Sequence, residues 1–469
     1  MPEPTFTAPA PPRHARPGAV TFVLCAAAFM AMLDVFVVNV AFTAIGAAYR
    51  GSSLADLSWV LNGYTIVYAA LLIPAGRLAD RHGRKTAFLT GLALFTAASA
   101  ACAAAPSLWW LVAFRVLQAA GAAALTPASL GLLLTVLPAE RRTGAVKIWA
   151  TTSSFAAAIG PVAGGALVQL SWHWVFLINV PIGIAVIAAA WRLIPDTGVA
   201  SPVPMPDLLG VAVLAAAVGA LSLGLVQGGA WGWTDALTIA ALAAAAAGIG
   251  VFARRTARHP APVIDPALLR VPSFVWANAT ALVFCTAFGA TFPAIVLWLE
   301  HAAGYSAIQT GLAILPGPLM VPLFAVVGQR LARRVPLGAL VAAGNLLFCA
   351  GALLLAAGAS ADVRYTTQVL PGWIVIGVGI GLALPTMIAA ATAGLPPAQA
   401  ATGSGVVNTS RQLGYVLGVA ILVAVLGTLD LPATHLQETF RHGWWFIAGT
   451  AALSAATALG ITPLRRTRP

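Results

Sequence analysis

Along the 469 residues, long apolar runs alternate with short polar or Pro/Gly-rich breaks. Fourteen such runs are read, at about 19–42, 56–78, 86–105, 108–137, 145–169, 173–194, 207–227, 233–253, 274–300, 308–331, 336–358, 366–393, 402–428 and 442–463. A helix needs ~20 mostly apolar residues to cross the hydrocarbon core of a bilayer, so each run predicts one transmembrane helix. Gly and Pro inside the runs are tolerated because neighbouring helices re-satisfy the backbone. The first run is too long for a signal-peptide core of ~7–15 residues and is read as a retained span. The fold class is therefore an all-α polytopic membrane protein.

A weak internal duplication organises these runs. GRLADRHGRK lies between spans 2 and 3, and GQRLARRVPLG lies at the matching place between spans 10 and 11. Two six-span halves with two spans inserted between them account for fourteen. The domains expected are a disordered N-terminal tail over 1–18, a six-helix bundle over 19–195, a two-helix linker over 196–273, a second bundle over 274–464 and a tail over 465–469. Repeated halves are a transporter plan, with the binding site between them near the bilayer midplane.

Composition agrees. Only 8% of residues are charged and mean hydropathy is +0.91, against roughly 25% charged in soluble domains. The formal net charge of +12 raises nucleic acid as a partner, but its placement argues against that. With the N-terminus on the cytoplasmic side, 20 of the 25 Lys and Arg fall on the inner side and 3 (Arg50, Arg364 and Arg441) on the outer, leaving Arg115 and Arg411 inside spans. That asymmetry obeys the positive-inside rule and places both termini in the cytoplasm. The four cysteines lack metal or CxxC spacing, so no metal site is expected and they read as apolar packing residues.

Few ionisable groups lie within the spans, and each marks a functional site by default because it costs several kcal/mol to bury there. Asp34 is ~22 Å into span 1 and Arg115 ~10 Å into span 4 from the opposite side, which allows similar depth. A carboxylate balanced between burial and a nearby Arg is poised to carry a proton; the alternative is a static ion pair tying helices together. Glu300, at the end of span 9, either titrates and binds substrate at the outer mouth or is an ordinary interfacial carboxylate. Arg411, ~14 Å into span 13, either meets substrate or bonds helix carbonyls or Gln412. Asn39, Asn62, Gln118, Gln169, Asn278 and Asn408 are cavity-lining candidates, with interhelical bonding as the alternative. Phe284, Phe288 and Phe292 share one helix face, lining a drug cavity or packing. Trp59, Tyr64, Trp109, Trp110, Trp172, Trp174, Trp444 and Trp445 read as an interfacial aromatic belt.

Several stretches occur in a recognisable order: LDVFVVNVAF, then WVLNGYTIVYAALLIPAGRLADRHGRK, RVLQAAGAAALTPAS, GPVAGG with SWHWVFLINVPIG, LWLEHAAGYSAIQTGLAILP and GSGVVNTSRQLGYVLGVAI. Together, over about 20–463, they resemble the fourteen-span drug:proton antiporter branch of the major facilitator superfamily. The resemblance implies a major facilitator fold of two six-helix bundles plus two extra helices. It implies a gating loop in which Gly76 and Gly83 turn the chain and Asp80, with Arg84 nearby, latches a helix end. It matches Arg115, Gln118 and Gly121 to the span 4 signature, whose Arg is linked to proton transfer, Gly160, Pro161, Gly164 and Gly165 to the signature associated with antiport, and Asp34 and Asn39 to the branch's first-span signature. Ala119 stands where Gly is usual, and Glu300 where Gln is usual.

The function expected is a proton-coupled antiporter exporting drugs or antibiotics by alternating access, working as a monomer without a cofactor. Its partners would be a lipophilic small molecule, protons and membrane lipid. The Ala-, Gly- and Arg-rich composition points to a high-GC bacterium and thus to its cell membrane. Export of a dedicated metabolite, such as a siderophore, peptide or lipid precursor, is the alternative. A primary pump would need a P-loop, and no GxxxxGK[ST] is present. A membrane enzyme would need acidic or metal-binding clusters in sizeable loops, and the loops are short.

Overall fold

The computed structural model describes residues 17–196, 207–359, 363–393, 395, 397–427 and 432–461. The chain runs through α1 (Pro17–Ala48), α2 (Leu54–His82), α3 (Arg84–Ala103), α4 (Leu108–Val136), α5 (Ala139–Leu170), α6 (Trp174–Leu177) and α7 (Asn179–Leu193). It continues through α8 (Leu208–Trp231), α9 (Ala236–Arg258), α10 (Pro272–Leu297), α11 (Ala307–Ile314), α12 (Pro316–Leu331), α13 (Leu337–Gly358), α14 (Leu370–Ala393), α15 (Pro397–Leu426) and α16 (Ala433–Ala458). Short π-helical turns at Trp298–Ala302 and Tyr365–Val369 extend α10 and precede α14. No strand occurs among the described residues.

Helices α6 and α7 form one membrane-length rod, as do α11 and α12. Thirteen of the resulting rods are long and apolar enough to cross a membrane. The fourteenth, α16, is 26 residues long and carries Glu438 and Arg441 in its first turns. It begins well before the apolar run at 442, so Arg441, expected in an outer loop, lies within a helix. Hydropathy does not see a polar first turn, whereas the backbone continues the helix to satisfy its hydrogen bonds. The helix α1 likewise starts at Pro17, inside the tail expected to be disordered; residues 1–16 and 462–469 lie outside the described residues.

Helix starts follow local chemistry. Ser53 and Asp56 form a capping box on α2, as Ser306 and Gln309 do on α11. Asp207 caps α8 and Asp235 caps α9. Pro316 begins α12 and breaks the α11–α12 rod where a continuing helix would need its missing N–H.

The rods pack as two bundles. In the first, α3 lies on α4, α1 on α5, α2 on α4 and α3 on α7. In the second, α13 lies on α14 and α16, α10 on α15 and α16, and α12 on α14. The bundles meet along α2–α15 and α5–α11. The inserted α8–α9 hairpin leans on that seam: Val218 of α8 packs with Ile66 of α2 and Val416 of α15. Helix α9 stands outside it, with only Thr238 and Ala245 buried. The hairpin is clasped at its base, where Arg255 donates two hydrogen bonds to Asp207, at 2.8 and 2.7 Å.

Candidate functional site

Asp34 and Arg115, far apart in sequence, meet inside the first bundle. Both are about 1% exposed, and an Arg115 Nη1 donates to Asp34 Oδ2 at 2.5 Å. The other carboxylate oxygen accepts from Gln118 Nε2 and Asn179 Nδ2, each at 2.8 Å. Gln118 also donates to Ser99 Oγ at 2.8 Å. The guanidinium is held on its remaining sides by Gln118 Oε1 at 2.6 Å, by the Val60 carbonyl at 3.2 Å and by the Tyr64 ring 4.1 Å away. Five helices, α1 to α4 and α7, thus converge on one ion pair. A buried ion pair survives only when its remaining lone pairs and protons are satisfied, and here they are.

Ser99, Asn179 and Tyr64 were missed as members of this cluster. Asn179 had a signal, standing in the FLINVPIG stretch of the sixth span; Ser99 had none. Tyr64, read as part of the aromatic belt, is buried, because its ring face is used by the Arg115 cation. Trp172 and Trp444 are also buried, whereas Trp109, Trp110, Trp174 and Trp445 are exposed as an interfacial belt requires.

Other candidates separate. Asn39 turns back on its own helix, donating to the Val35 carbonyl at 2.7 Å. Gln169 is exposed near the end of α5, about one turn beyond Gly165. Asn278 bonds Phe274 and Ser410. Asn62 is fully buried with neither amide atom hydrogen-bonded. Phe284 packs on Phe348 within the second bundle. Phe288 and Phe292 lie on the seam: Phe292 meets Phe36 of the first bundle at 5.3 Å between ring centres, and Phe288 meets Tyr415 at 5.2 Å.

Glu300 lies in the π turn after α10, and its Oε1 is buried without a hydrogen-bond partner. Thr43 of α1, across the seam, bears on this carboxyl, and its hydroxyl is likewise unpaired. Among the described residues, Arg411 shows no hydrogen bond to Gln412 or a helix carbonyl; its Nη1 donates to Asn408 Oδ1 at 3.4 Å, the Cys285 thiol lies beside it, and its Nε is buried without a partner.

The Gly-rich stretches have distinct roles. Gly83 alone makes the link between α2 and α3, at φ 102°, a region that favours Gly. Gly76 does not turn a loop as expected; it lies inside α2, because that helix continues to His82. Arg84 reaches back to Asp80 at 2.8 Å and donates to the Gly131 carbonyl of α4 at 3.0 Å. On α5, a Cβ at Gly160 would lie 2.5 Å from that of Phe36, and one at Gly164 would lie 3.0 Å from the Val37 carbonyl. One at Gly165 would collide with the Ala307 carbonyl of α11. The set therefore seats α5 against α1 on one side and against the second bundle on the other.

The sequence profile of the Major Facilitator Superfamily matches residues 24–419. The chain belongs to that superfamily. Among its superfamily relatives is a methylenomycin A resistance protein of Streptomyces coelicolor, 36% identical, with 94% of this chain and 90% of the relative covered. A cephamycin export protein of Amycolatopsis lactamdurans is 35% identical over the same shares. A tetracenomycin C resistance and export protein of Streptomyces glaucescens is 33% identical over 93% of this chain and 80% of its own. In fold, this superfamily member is similar to a peptide transporter solved with sulfate, at TM-score 0.71 and 19% identity over 94% of each chain. It is a multi-pass membrane protein with the architecture of a transporter, and its sequence relatives are antibiotic-resistance and export proteins, as the resemblance implied.

Proposed function

We propose that this protein exports a drug or antibiotic from the cytoplasm by alternating access, in exchange for protons carried by Asp34. The observation that carries the reading is the fully buried Asp34–Arg115 pair, held between α1 and α4 by groups from three further helices. A proton reaching Asp34 removes the counter-ion of Arg115. The guanidinium is then left to Gln118 and the Val60 carbonyl, and the contacts of α1 with α4 and α7 weaken. Occupancy of one carboxylate thereby changes the relative energies of two bundle arrangements, which is what coupling requires. The Gly set of α5 supports the same reading, since rocking bundles need a smooth seam. The relatives named for antibiotic export support the substrate class. The membrane would be the bacterial cell membrane, with both termini cytoplasmic, and the working unit a monomer without cofactor.

Proteoliposomes with an imposed pH gradient test this, comparing wild type with Asp34→Asn across cationic, neutral and anionic antibiotics. Gradient-driven substrate movement is expected in wild type and absent from the variant. Full coupled transport by Asp34→Asn removes Asp34 from the role. No movement of any compound by folded wild type shifts the reading to a dedicated metabolite exporter.

A further inference from the structure

The second bundle carries a half-buried cation, deep along its helix, with no counter-ion among the described residues. Arg411 lies fourteen residues into the thirty of α15, ~21 Å from the start of that helix at 1.5 Å per residue. Helix α15 packs on α10 of its own bundle and on α2 of the other, so this point of the helix is at the seam. Among the described residues, no carboxylate lies within ion-pair distance of the guanidinium. Asn408 offers one long hydrogen bond, and Nε has none. Its other neighbours are weak acceptors or none: Tyr68 of α2, Cys285 of α10, and Tyr415 one turn along α15.

Beside this cation is an aromatic wall that crosses the seam. Tyr415 faces Phe288, Phe288 faces Phe292, and Phe292 faces both Trp373 and Phe36 of the first bundle. A planar guanidinium fork matches the two oxygens of a carboxylate, and the wall matches a flat ring. A charge left unpaired at this depth is costly and marks a ligand site unless a partner arrives. A phospholipid phosphate is not that partner, because headgroups lie near helix ends and Arg411 lies at mid-helix.

We infer that Arg411 is the anion-recognising group of the substrate site, and that the exported compound is an aromatic small molecule bearing a carboxylate. This rests on the export reading above and narrows its substrate. Arg411 contributes the charge, Asn408 orients it, and Phe288, Phe292 and Tyr415 contact the ring system. The arrangement disfavours cations at the same point by like-charge repulsion.

The test is equilibrium binding of two dyes of similar ring system and opposite charge to the purified full-length protein: fluorescein, an anionic carboxylate, and rhodamine 6G, a cationic ester. Fluorescence anisotropy reads both. Wild type is expected to bind fluorescein more tightly than rhodamine 6G. Arg411→Gln is expected to raise the Kd for fluorescein about tenfold or more and to leave rhodamine 6G unchanged or improved. Arg411→Lys should recover part of the loss. Preference of wild type for rhodamine 6G, no binding of fluorescein, or parallel loss of both dyes in Arg411→Gln overturns the inference. The wild-type preference is decisive even where the variant fails to fold. Because binding needs no gradient, failure of proton coupling and failure of anion recognition are read separately.

Discussion

Arg115 in the first bundle is enclosed by a carboxylate, an amide, a backbone carbonyl and an aromatic ring. Arg411 in the second bundle has one long bond to an amide and an unpaired Nε. Arg115 is buried and Arg411 half-buried, and the first is completed by protein partners whereas the second is not. A completed buried pair is costly to break and inexpensive to keep, so it is suited to storing one state until a proton arrives. An incomplete one is suited to accepting a charge from outside. Under the proposed function the two bundles divide the chemistry: proton handling in the first, ligand charge in the second.

The largest effect expected is on stability. Asp34→Ala leaves Arg115 buried without its counter-ion and should cost about 3–5 kcal/mol, read as a lowered Tm in detergent. Arg411→Ala removes a charge that has no partner and should leave Tm unchanged or raised. Equal losses at the two positions would break the contrast. Combining Asp34→Asn with Arg115→Gln should recover much of the stability lost by the first change alone, while proton-coupled transport stays absent.

The next test concerns the seam through which the bundles communicate. Gly165→Ala places a methyl against the backbone of α11, which cannot rotate away as a side chain would. A cost of about 1–3 kcal/mol is expected, with slowed exchange in proteoliposomes. Gly144→Ala, on the same helix with open space around it, should behave as wild type. A fully active Gly165→Ala protein would show that α5 and α11 separate without needing that closeness.

A smaller effect is expected at Glu300. Its carboxyl, with Oε1 unpaired and Thr43 nearby, stands at the end of the seam away from the start of α1. Glu300→Gln should reduce transport of cationic compounds and leave anionic ones nearly unaltered. Equal losses for both would argue against charge recognition there and blur the division between Glu300 and Arg411.

The smallest effect is at the base of the inserted hairpin. Two hydrogen bonds from Arg255 hold the Asp207 carboxyl down to about 2, from an ordinary value near 3.8. A carboxyl whose folded value is depressed adds stability above its unfolded value and loses it as pH falls through the folded one. Thermal stability should therefore drop between about pH 4 and pH 2 by about 1 kcal/mol, given that the Arg255 side chain is partly exposed. Asp207→Asn should flatten that portion of the profile.

Much of this was legible in the chain. The apolar runs show where helices cross because lipid offers no hydrogen bonds, so length and composition leave little choice. Asp34, Arg115 and Gln118 stand out because polar groups there are expensive. Partners such as Ser99 did not, since a small hydroxyl in an apolar run is as common bonded to its own helix as to another. Gly76 was misplaced for a related reason. A motif indicates that a residue matters to packing or turning, but how far α2 continues decides which of the two it does.

By itself, then, the sequence determined the all-helical class, where most of the apolar rods lie and the few charged positions inside them. Those follow from one-dimensional quantities: run length, the free energy of transferring side chains into hydrocarbon, and the asymmetry of basic residues. Only the tertiary structure decided that Arg115 is paired and Arg411 is not. Pairing depends on which helix faces meet, and that is set by backbone closeness at glycines such as Gly121, which seats α4 against the backbone of Phe95 in α3, and by the packing of five helices around a single ion pair.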